Sequence, residues 1–340
     1  MSGIPVLLPW HQDHFRQLQS QQEAQRLGHA WLITGHKGTG KLNFVLYLAQ
    51  SLLCAKPDAG KPCGKCQDCH LFSVNSHPDF RLMQPEKKLI TIDQVRDTID
   101  FAQNMSRRGG MKVLVFEPAE AMNLNAANAL LKLLEEPPQN TILLLISHQP
   151  GLLLATIRSR CQVLRCGLPP HDLALGWLQS SGYSGNAELA LQRAGGAPLR
   201  ALAQDDAATQ TERLQLISCL QGLTAGNMLP LEAAKKCEKS NITASIDYQI
   251  ACIADLSACA QGARALQDTD LRPLSEQLSL PKQTALFNRQ LHRLYSDLQQ
   301  ARRVALASNN ANPQLLLEGL FSRWLQLGQR SRLQLTAANK

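Results

Sequence analysis

Residues 30–42 read AWLITGHKGTGKL, and this stretch decides the expected fold of the first half of the chain. Its first five residues form an apolar run typical of a buried strand. A glycine-rich turn follows, and a helix is expected from about residue 42 to residue 53. In this strand–turn–helix arrangement, the N–H groups of the turn and the positive end of the helix can surround a phosphate group. We therefore predict a phosphate-binding loop at residues 35–41.

Residues 35–42, GHKGTGKL, match the phosphate-loop pattern G-x-x-x-x-G-K-[ST] at every position but the last. The candidate nucleotide-binding residues of this pattern are Gly35, Gly38, Thr39, Gly40 and Lys41. Lys41 is expected to reach the outer phosphates, whereas Leu42 replaces the hydroxyl residue that would hold Mg²⁺. The alternative is a purely structural relic of such a loop.

The strand expected at residues 112–116 is followed by Glu117 and Pro118. A hydrolysing P-loop enzyme uses a carboxylate at this place to help hold Mg²⁺. Glu117 could do so through water, but Pro118 stands where a second acid would polarise the attacking water. We therefore expect poor Mg²⁺ binding and no efficient ATP hydrolysis by the chain alone. Whether ATP or ADP occupies the loop is left open.

Apolar runs and helical segments alternate through the first half of the chain, which predicts an α/β fold with a parallel sheet covered by helices. Beyond those named above, strands are expected at residues 80–83 and 141–147, and helices at residues 92–104 and 125–135. No convincing strand follows residue 169. We predict a nucleotide-binding-like domain at 1–166, a small helical lid at 167–207 and an all-α domain at 208–340.

Four of the ten cysteines lie within sixteen residues, in the spacing C-x8-C-x2-C-x2-C. They are Cys54, Cys63, Cys66 and Cys69, and four thiolates complete the tetrahedral shell of a structural zinc site. A metal-free cluster, an iron–sulfur site or redox pairing is the alternative, and His70 and His77 are possible substitute ligands. We predict a structural Zn²⁺ in a module at about residues 54–70.

The 340 residues carry 35 Lys and Arg against 27 Asp and Glu, a formal net charge of +8, and are 44% hydrophobic. This composition supports packed cores and argues against global disorder. No apolar stretch is long enough to span a bilayer and no signal peptide is recognisable, so we expect a cytoplasmic protein. From residue 208 onward, 15 basic and 10 acidic residues leave +5 of the positive excess.

Residues 128–138, NALLKLLEEPP, with the later Ser-Arg-Cys at residues 159–161, resemble the clamp-loader branch of the AAA+ ATPases. The four-cysteine insertion, with His-Pro-Asp at residues 77–79, is similar to that of the bacterial members. Residues 312–318, NPQLLLE, resemble the last helices of their collar domain. The resemblance covers nearly the whole chain. It implies an α/β P-loop AAA+ domain with a zinc insertion, a small helical lid and an all-α C-terminal collar for oligomerisation.

Within that family, the altered nucleotide site distinguishes the type of subunit. The motor subunits, gamma and tau, keep an intact phosphate loop and an acidic pair after the central strand, whereas this chain has Leu42, Glu117 and Pro118. The chain therefore most resembles the stator type, a subunit of DNA polymerase III without ATPase activity of its own. The resemblance implies a hetero-pentamer with gamma or tau and delta, which loads the sliding clamp onto primed DNA during replication.

The resemblance also implies roles for single residues. Arg160 matches the family's arginine finger, which reaches in trans into a neighbouring subunit's ATP site and stabilises the transferred phosphoryl group. Arg200 lies where the family carries a nucleotide-sensing arginine, and Ser147 occupies the polar sensor position at a strand end. Trp10 resembles a residue beside the adenine pocket. An ordinary surface ion pair is the alternative for Arg160, and packing is the alternative for Trp10.

The sequence also allows two other functions. An autonomous AAA+ ATPase of the motor type would need Glu117 and water to replace the missing ligands, against which Leu42 and Pro118 argue. A zinc-dependent DNA-binding module would use the cysteine insertion and the basic C-terminal half. Steep salt dependence of DNA binding by the isolated chain would support that module.

Overall fold

A computed structural model of the chain describes residues 5–86, 88–183, 185–203, 207–238, 241–262, 268–278, 285–307 and 312–338. The chain divides into two compact units. The first consists of Met1–Gly182 and Gly196–Ala201, and the second of Tyr183–Gly195 and Leu202–Lys340. Residues 167–207, the predicted lid, are divided between the two units. The three-domain division stays a prediction.

Five parallel strands form one sheet in the first unit. They are β1 (Ala30–Thr34), β2 (Phe80–Met83), β3 (Lys112–Phe116), β4 (Thr141–Ser147) and β5 (Gln162–Arg165). Their spatial order is β2-β3-β4-β1-β5, and Leu32 of β1 pairs with Leu145 of β4 and Val163 of β5. The predicted α/β fold with a parallel sheet is confirmed, and β1 to β4 have the predicted bounds.

The fifth strand was not predicted from the sequence. β5 lies at the edge of the sheet, and only Leu164 of its four residues is buried. A strand exposed in this way lacks the continuous apolar run that marks a central parallel strand.

Helices flank the sheet and form the second unit. In chain order up to the second unit they are α1 (Gln12–Glu23), α2 (Lys41–Leu53), α3 (Gln67–Ser73), α4 (Ile92–Gln103), α5 (Leu124–Glu135), α6 (Ala155–Arg158) and α7 (His171–Ser180). Those that follow are α8 (Ala187–Arg193), α9 (Pro198–Ala203), α10 (Ala207–Ala225), α11 (Pro230–Lys236), α12 (Ile242–Ala260), α13 (Arg272–Gln277), α14 (Ala285–Ala307) and α15 (Pro313–Ala338). The described residues after β5 contain no strand, as expected.

Both faces of the sheet are covered. Leu32 belongs to the core that α4 and α5 share with the sheet, whereas its neighbour Ile33 belongs to the core shared with α1 and α2. Successive residues of a strand point to opposite faces, so burial on both sides requires the continuous apolar runs seen in the sequence.

Three helix ends differ by one residue from the prediction. α2 begins at Lys41 because Gly40, with φ of 81°, forms a left-handed N-cap. α4 ends at Gln103, since Asn104 is already extended. α5 begins at Leu124 because the side chain of Asn123 caps it by accepting a hydrogen bond from the N–H of Ala126.

The second unit is helical and has its own core. Trp324, Phe321 and Phe287 are fully buried in it, and Nε1 of Trp324 donates a 2.8 Å hydrogen bond to Oε1 of Gln249. In neither unit is any described helix long and apolar enough to cross a membrane.

Candidate functional site

The phosphate loop connects β1 to α2, and its backbone requires glycine at two close approaches. Gly38 has φ of 85°, and a Cβ on it would lie 2.6 Å from Cβ of Arg200. Gly35 has φ of 153°, and a Cβ on it would lie 1.9 Å from the carbonyl oxygen of Cys166. A side chain at either position would therefore collide with its neighbour or displace the loop.

Lys41 turns towards its own loop. Its Nζ donates hydrogen bonds to the carbonyl oxygens of Gly35 (2.7 Å) and His36 (2.6 Å), and the residue is 2% exposed. Burial lowers the pKa of Lys41 to about 8, although Cys166, Glu120 and Glu117 act in the opposite direction. A phosphate that binds this loop must draw the ammonium away from two carbonyl groups.

The N-terminal segment holds the middle of the loop. The carbonyl oxygen of Thr39 accepts hydrogen bonds from Nε1 of Trp10 and Nε2 of His11, both at 2.8 Å. Thr39 is fully buried, and its hydroxyl donates to the carbonyl oxygen of His36. Trp10 also packs edge-on against Trp177, with ring centroids 5.5 Å apart. The indole N–H of Trp10 therefore has its hydrogen-bond partner within the chain.

Arg200 lies beside the phosphate loop, as its predicted role requires. The backbone N–H of Leu199 donates a 3.0 Å hydrogen bond to the carbonyl oxygen of Gly38. This bond places the first turn of α9 against the loop glycine. The nucleotide-sensing role of Arg200 stays a prediction.

The two positions expected to bind Mg²⁺ have other partners. Leu42 is half-buried and packs on the core between the sheet and α2. Glu117 accepts a 2.7 Å hydrogen bond from Nε2 of Gln84 and lies 3.7 Å from Nε2 of His148. Its interaction with His148, followed by that with Gln84, lowers the pKa of Glu117, so its carboxylate is charged and already paired.

Glu120 is a polar residue of this site that the sequence analysis missed. Its Oε1 accepts hydrogen bonds from the backbone N–H groups of His148 (2.9 Å) and Gln149 (3.1 Å), just after β4. Gln149 N–H also lies 3.2 Å from the hydroxyl oxygen of the buried Ser147. Glu120 lies outside the recognised motifs, and its contacts with the end of β4 depend on the fold.

The four predicted zinc ligands come together. The Sγ atoms of Cys54 and Cys63 are 3.6 Å apart, those of Cys54 and Cys66 3.8 Å, and those of Cys63 and Cys69 4.0 Å. Zn–S bonds of about 2.3 Å in a tetrahedron place sulfur atoms about 3.8 Å apart. The cluster therefore has the spacing that a zinc ion requires.

Local backbone geometry also suits a metal-thiolate cluster. The N–H groups of Cys63, Cys66 and Cys69 point at the Sγ atoms of Cys54, Cys63 and Cys66, respectively. Hydrogen bonds from the N–H groups of Lys65 and Cys66 lower the pKa of Cys63 to about 6, which favours the thiolate. His77 lies outside the ligand group, because its Nδ1 accepts a hydrogen bond from the N–H of Asp79.

Arg160 lies two residues after α6 and is exposed at the surface. Its Nη2 is 2.6 Å from Oε1 of Glu135, and its Nη1 donates a 3.0 Å hydrogen bond to the carbonyl oxygen of Thr156. Glu135 is the last residue of α5, so this ion pair joins the NALLKLLEEPP segment to the Ser-Arg-Cys motif. The guanidinium remains accessible to a second molecule.

Comparison with known proteins identifies the family. The model described as "DNA polymerase III, delta subunit" matches residues 10–168, and "DNA polymerase III, delta subunit, C terminal" matches residues 208–326. DNA polymerase III subunit delta' of Haemophilus influenzae is 35% identical over 93% of this chain and 97% of its own length. The same subunit of Escherichia coli is 31% identical over 93% and 94%, respectively. The chain belongs to the delta-prime family of DNA polymerase III subunits.

Membership of the delta-prime family confirms the resemblance to clamp-loader subunits. A gamma subunit-related protein of Thermotoga maritima covers 92% of this chain and 99% of its own, at 19% identity and a TM-score of 0.39. For this delta-prime family member, the roles of Arg160, Arg200 and the phosphate loop stay predictions.

Proposed function

We propose that this chain is the stator subunit of a bacterial clamp loader, which supplies Arg160 to a neighbouring subunit's ATP and does not hydrolyse ATP itself. Family membership supports the clamp-loader assignment. We call the phosphate loop closed because Lys41 is hydrogen-bonded to carbonyl groups of the loop itself. The closed loop and the exposed Arg160 together support the stator role. Its partners are the motor subunits gamma or tau and the delta subunit, together with the sliding clamp and primed DNA, in the cytoplasm.

The closed loop is the first support for this proposal. Lys41 is held by two carbonyl groups, and Leu42 packs where the hydroxyl ligand of Mg²⁺ would stand. Glu117 is already paired with Gln84 and His148. Turnover would need a bound Mg²⁺ and an activated water, and neither has a dedicated ligand on this loop.

The surroundings of Arg160 are the second support. Its side chain is 36% exposed and that of Glu135 is 49% exposed, so solvent weakens their attraction. The phosphate groups of a nucleotide on an adjacent subunit carry more negative charge than one carboxylate. The guanidinium can therefore exchange Glu135 for a phosphate when the subunits assemble.

The cysteine module supplies the cofactor in this proposal. The residues Cys54, Cys63, Cys66 and Cys69 hold one Zn²⁺ in a closed, four-thiolate shell, whose role is structural. The ion fixes the segment between α2 and α3, which otherwise has little regular structure.

Reconstitution of the clamp loader with Arg160→Ala tests the stator role. We expect unchanged assembly and a decrease of about 10³-fold in hydrolysis at the neighbouring ATP site, because a trans arginine stabilises the charge of the transferred phosphoryl group. Single-turnover ATP hydrolysis on primed DNA measures this. Arg158→Ala, which removes another exposed arginine two residues away, is the matched control and should leave the rate unchanged.

Two outcomes would contradict the proposal. Equal rates for the Arg160→Ala and wild-type complexes would exclude the finger role. Failure of the wild-type chain to assemble with the motor and delta subunits would exclude the stator role itself.

A further inference from the structure

Two histidines and a cysteine form a second group of metal-binding side chains, separate from the four-cysteine module. His11 lies where the N-terminal segment enters α1, His14 lies in the first turn of α1, and Cys166 directly follows β5. One ligand atom from each residue lies within 4.8 Å of the other two. His11 and Cys166 are fully buried, and His14 is half-buried.

Hydrogen bonding sets the tautomer of His11. Its Nε2 lies 2.8 Å from the carbonyl oxygen of Thr39, which can only accept, so Nε2 carries the proton. Nδ1 therefore has a free lone pair. A ring N–H bound to a backbone carbonyl is also the usual outer-shell partner of a histidine that ligates a metal through its other nitrogen.

One ring nitrogen of each histidine lacks a hydrogen-bond partner among the described residues. Nδ1 of His11 and Nδ1 of His14 are both buried, and neither has a hydrogen-bond partner among the described residues. Buried polar atoms almost always have a partner, so these two nitrogens need an explanation, and both belong to side chains that lie in one group with the thiol of Cys166. A metal ion would satisfy all three side chains at once.

We propose that His11, His14 and Cys166 bind a Zn²⁺ ion as a second metal site of this chain. Imidazole and thiolate are the ligands that zinc prefers, and three protein ligands leave one position for water or a small anion. The site would tie α1 to the end of β5. It would also support the phosphate loop through the hydrogen bond from His11 to Thr39.

The protonation states of the ligands are compatible with metal binding. Burial lowers the pKa of His11 to about 4, so its imidazole is neutral at neutral pH. Burial raises the pKa of Cys166 to about 12, partly opposed by Lys41, so zinc must displace the proton of the thiol. Binding at this site therefore releases one proton per ion from Cys166.

The positive charge of Lys41 is compatible with a metal ion bound by His11, His14 and Cys166. Two neutral imidazoles and one thiolate leave a bound Zn²⁺ with a single net positive charge. Glu117 and Glu120 both raise the pKa of Lys41, which shows that their negative charges act on this region.

Counting zinc in the purified chain tests the proposal. The untagged, full-length chain is incubated with Zn²⁺, freed of excess metal, and its zinc content is measured by mass spectrometry. We expect two ions per wild-type chain, one in the four-cysteine module and one in this site. Cys166→Ala and His14→Gln should each retain one.

Two matched controls should retain two ions. Cys161→Ala removes another buried thiol, and His171→Gln removes a more exposed histidine, both outside this group. Circular dichroism and the melting temperature report whether each variant is folded. If Cys166→Ala is unfolded, His14→Gln decides, because His14 is only half-buried.

Combining substitutions in the two sites distinguishes the two ions. Cys66→Ser should lose the ion of the four-cysteine module and keep the ion of the new site, and the double variant with Cys166→Ala should lose both. One ion per wild-type chain after incubation would overturn the proposal. Two ions retained in folded Cys166→Ala, or in folded His14→Gln, would also overturn it.

Discussion

Lys41 and Arg160 carry the same charge in opposite surroundings. Lys41 is buried and donates to two carbonyl groups of its own loop, whereas Arg160 is exposed and pairs with an exposed carboxylate. An exposed ion pair contributes only about 0–1 kcal/mol. Hydrogen bonds to a charged group contribute about 1.5–3 kcal/mol each. The chain can therefore offer its arginine to a partner more readily than its lysine to a nucleotide.

Asp268 holds together several side chains of the second unit. Nη2 of Arg213 lies 2.7 Å from its carboxylate, Nε of Arg193 lies 3.2 Å away, and the hydroxyl of Tyr248 donates to it at 2.9 Å. Burial by itself raises the pKa of Asp268, but Arg213 and Arg193 hold it below its ordinary value. The carboxylate is therefore charged at neutral pH.

Asp268→Asn should destabilise the chain by about 2 kcal/mol, because the largely buried guanidinium groups of Arg193 and Arg213 lose one of their two carboxylate partners and keep only Asp270. Chemical denaturation at pH 7 measures this. The pKa of Asp268 is lower in the folded state, so its contribution is present at neutral pH and is lost as the pH falls below about 4. The difference between wild type and variant should therefore shrink in acid.

The control for this prediction is Asp13→Asn. Asp13 pairs with Arg16 but its side chain is 91% exposed, so the change should be below about 1 kcal/mol. Equal destabilisation by the two substitutions would show that burial of Asp268 adds nothing.

At the scale of elements, the zinc module depends on two helix ends. Cys54 follows the last residue of α2, Cys66 caps the start of α3, and Cys69 lies within its first turn. Helix termini supply fixed positions and free N–H groups, so short spacings such as C-x2-C can converge on one ion.

Cys66→Ser should remove one zinc equivalent and increase proteolytic cleavage at residues 54–70. Serine can still cap α3 by accepting the N–H of Cys69, so the substitution mainly removes a metal ligand. Zinc content and the sites of limited proteolysis measure the two effects. Cys259→Ser, a half-buried cysteine outside the module, serves as the control. A module equally resistant to protease after zinc loss would contradict the structural role.

At the scale of the whole molecule, the chain alone should show negligible steady-state ATP hydrolysis with Mg²⁺ and primed DNA present. Leu42 packs on the core, and Glu117 is paired with Gln84 and His148. Mg²⁺ therefore has no dedicated ligand at these two positions. Lys41→Ala is the control, since it should leave the background rate unchanged. Turnover that this substitution abolishes would identify an active loop and contradict the stator role.

Much of this fold could be predicted because it follows from local pattern. Four strands matched their predicted bounds, since central parallel strands are buried on both faces and must be apolar throughout. The glycines of the phosphate loop and the spacing of the cysteines were equally clear, because their chemistry depends on neighbours in sequence. Helix ends shifted by one residue where a cap decided them.

The sequence by itself determined four of the five strands, the phosphate-loop pattern, the four candidate zinc ligands and the family. Only the tertiary structure decided that Lys41 is held by its own loop, that Glu120 meets the end of β4, and that Arg160 pairs with Glu135. It also brought His11 and His14 to Cys166, some 150 residues away. The bonds of Lys41 are local and depend on how the loop between β1 and α2 folds. The other contacts join residues far apart in the chain, and their distances depend on how strands and helices pack.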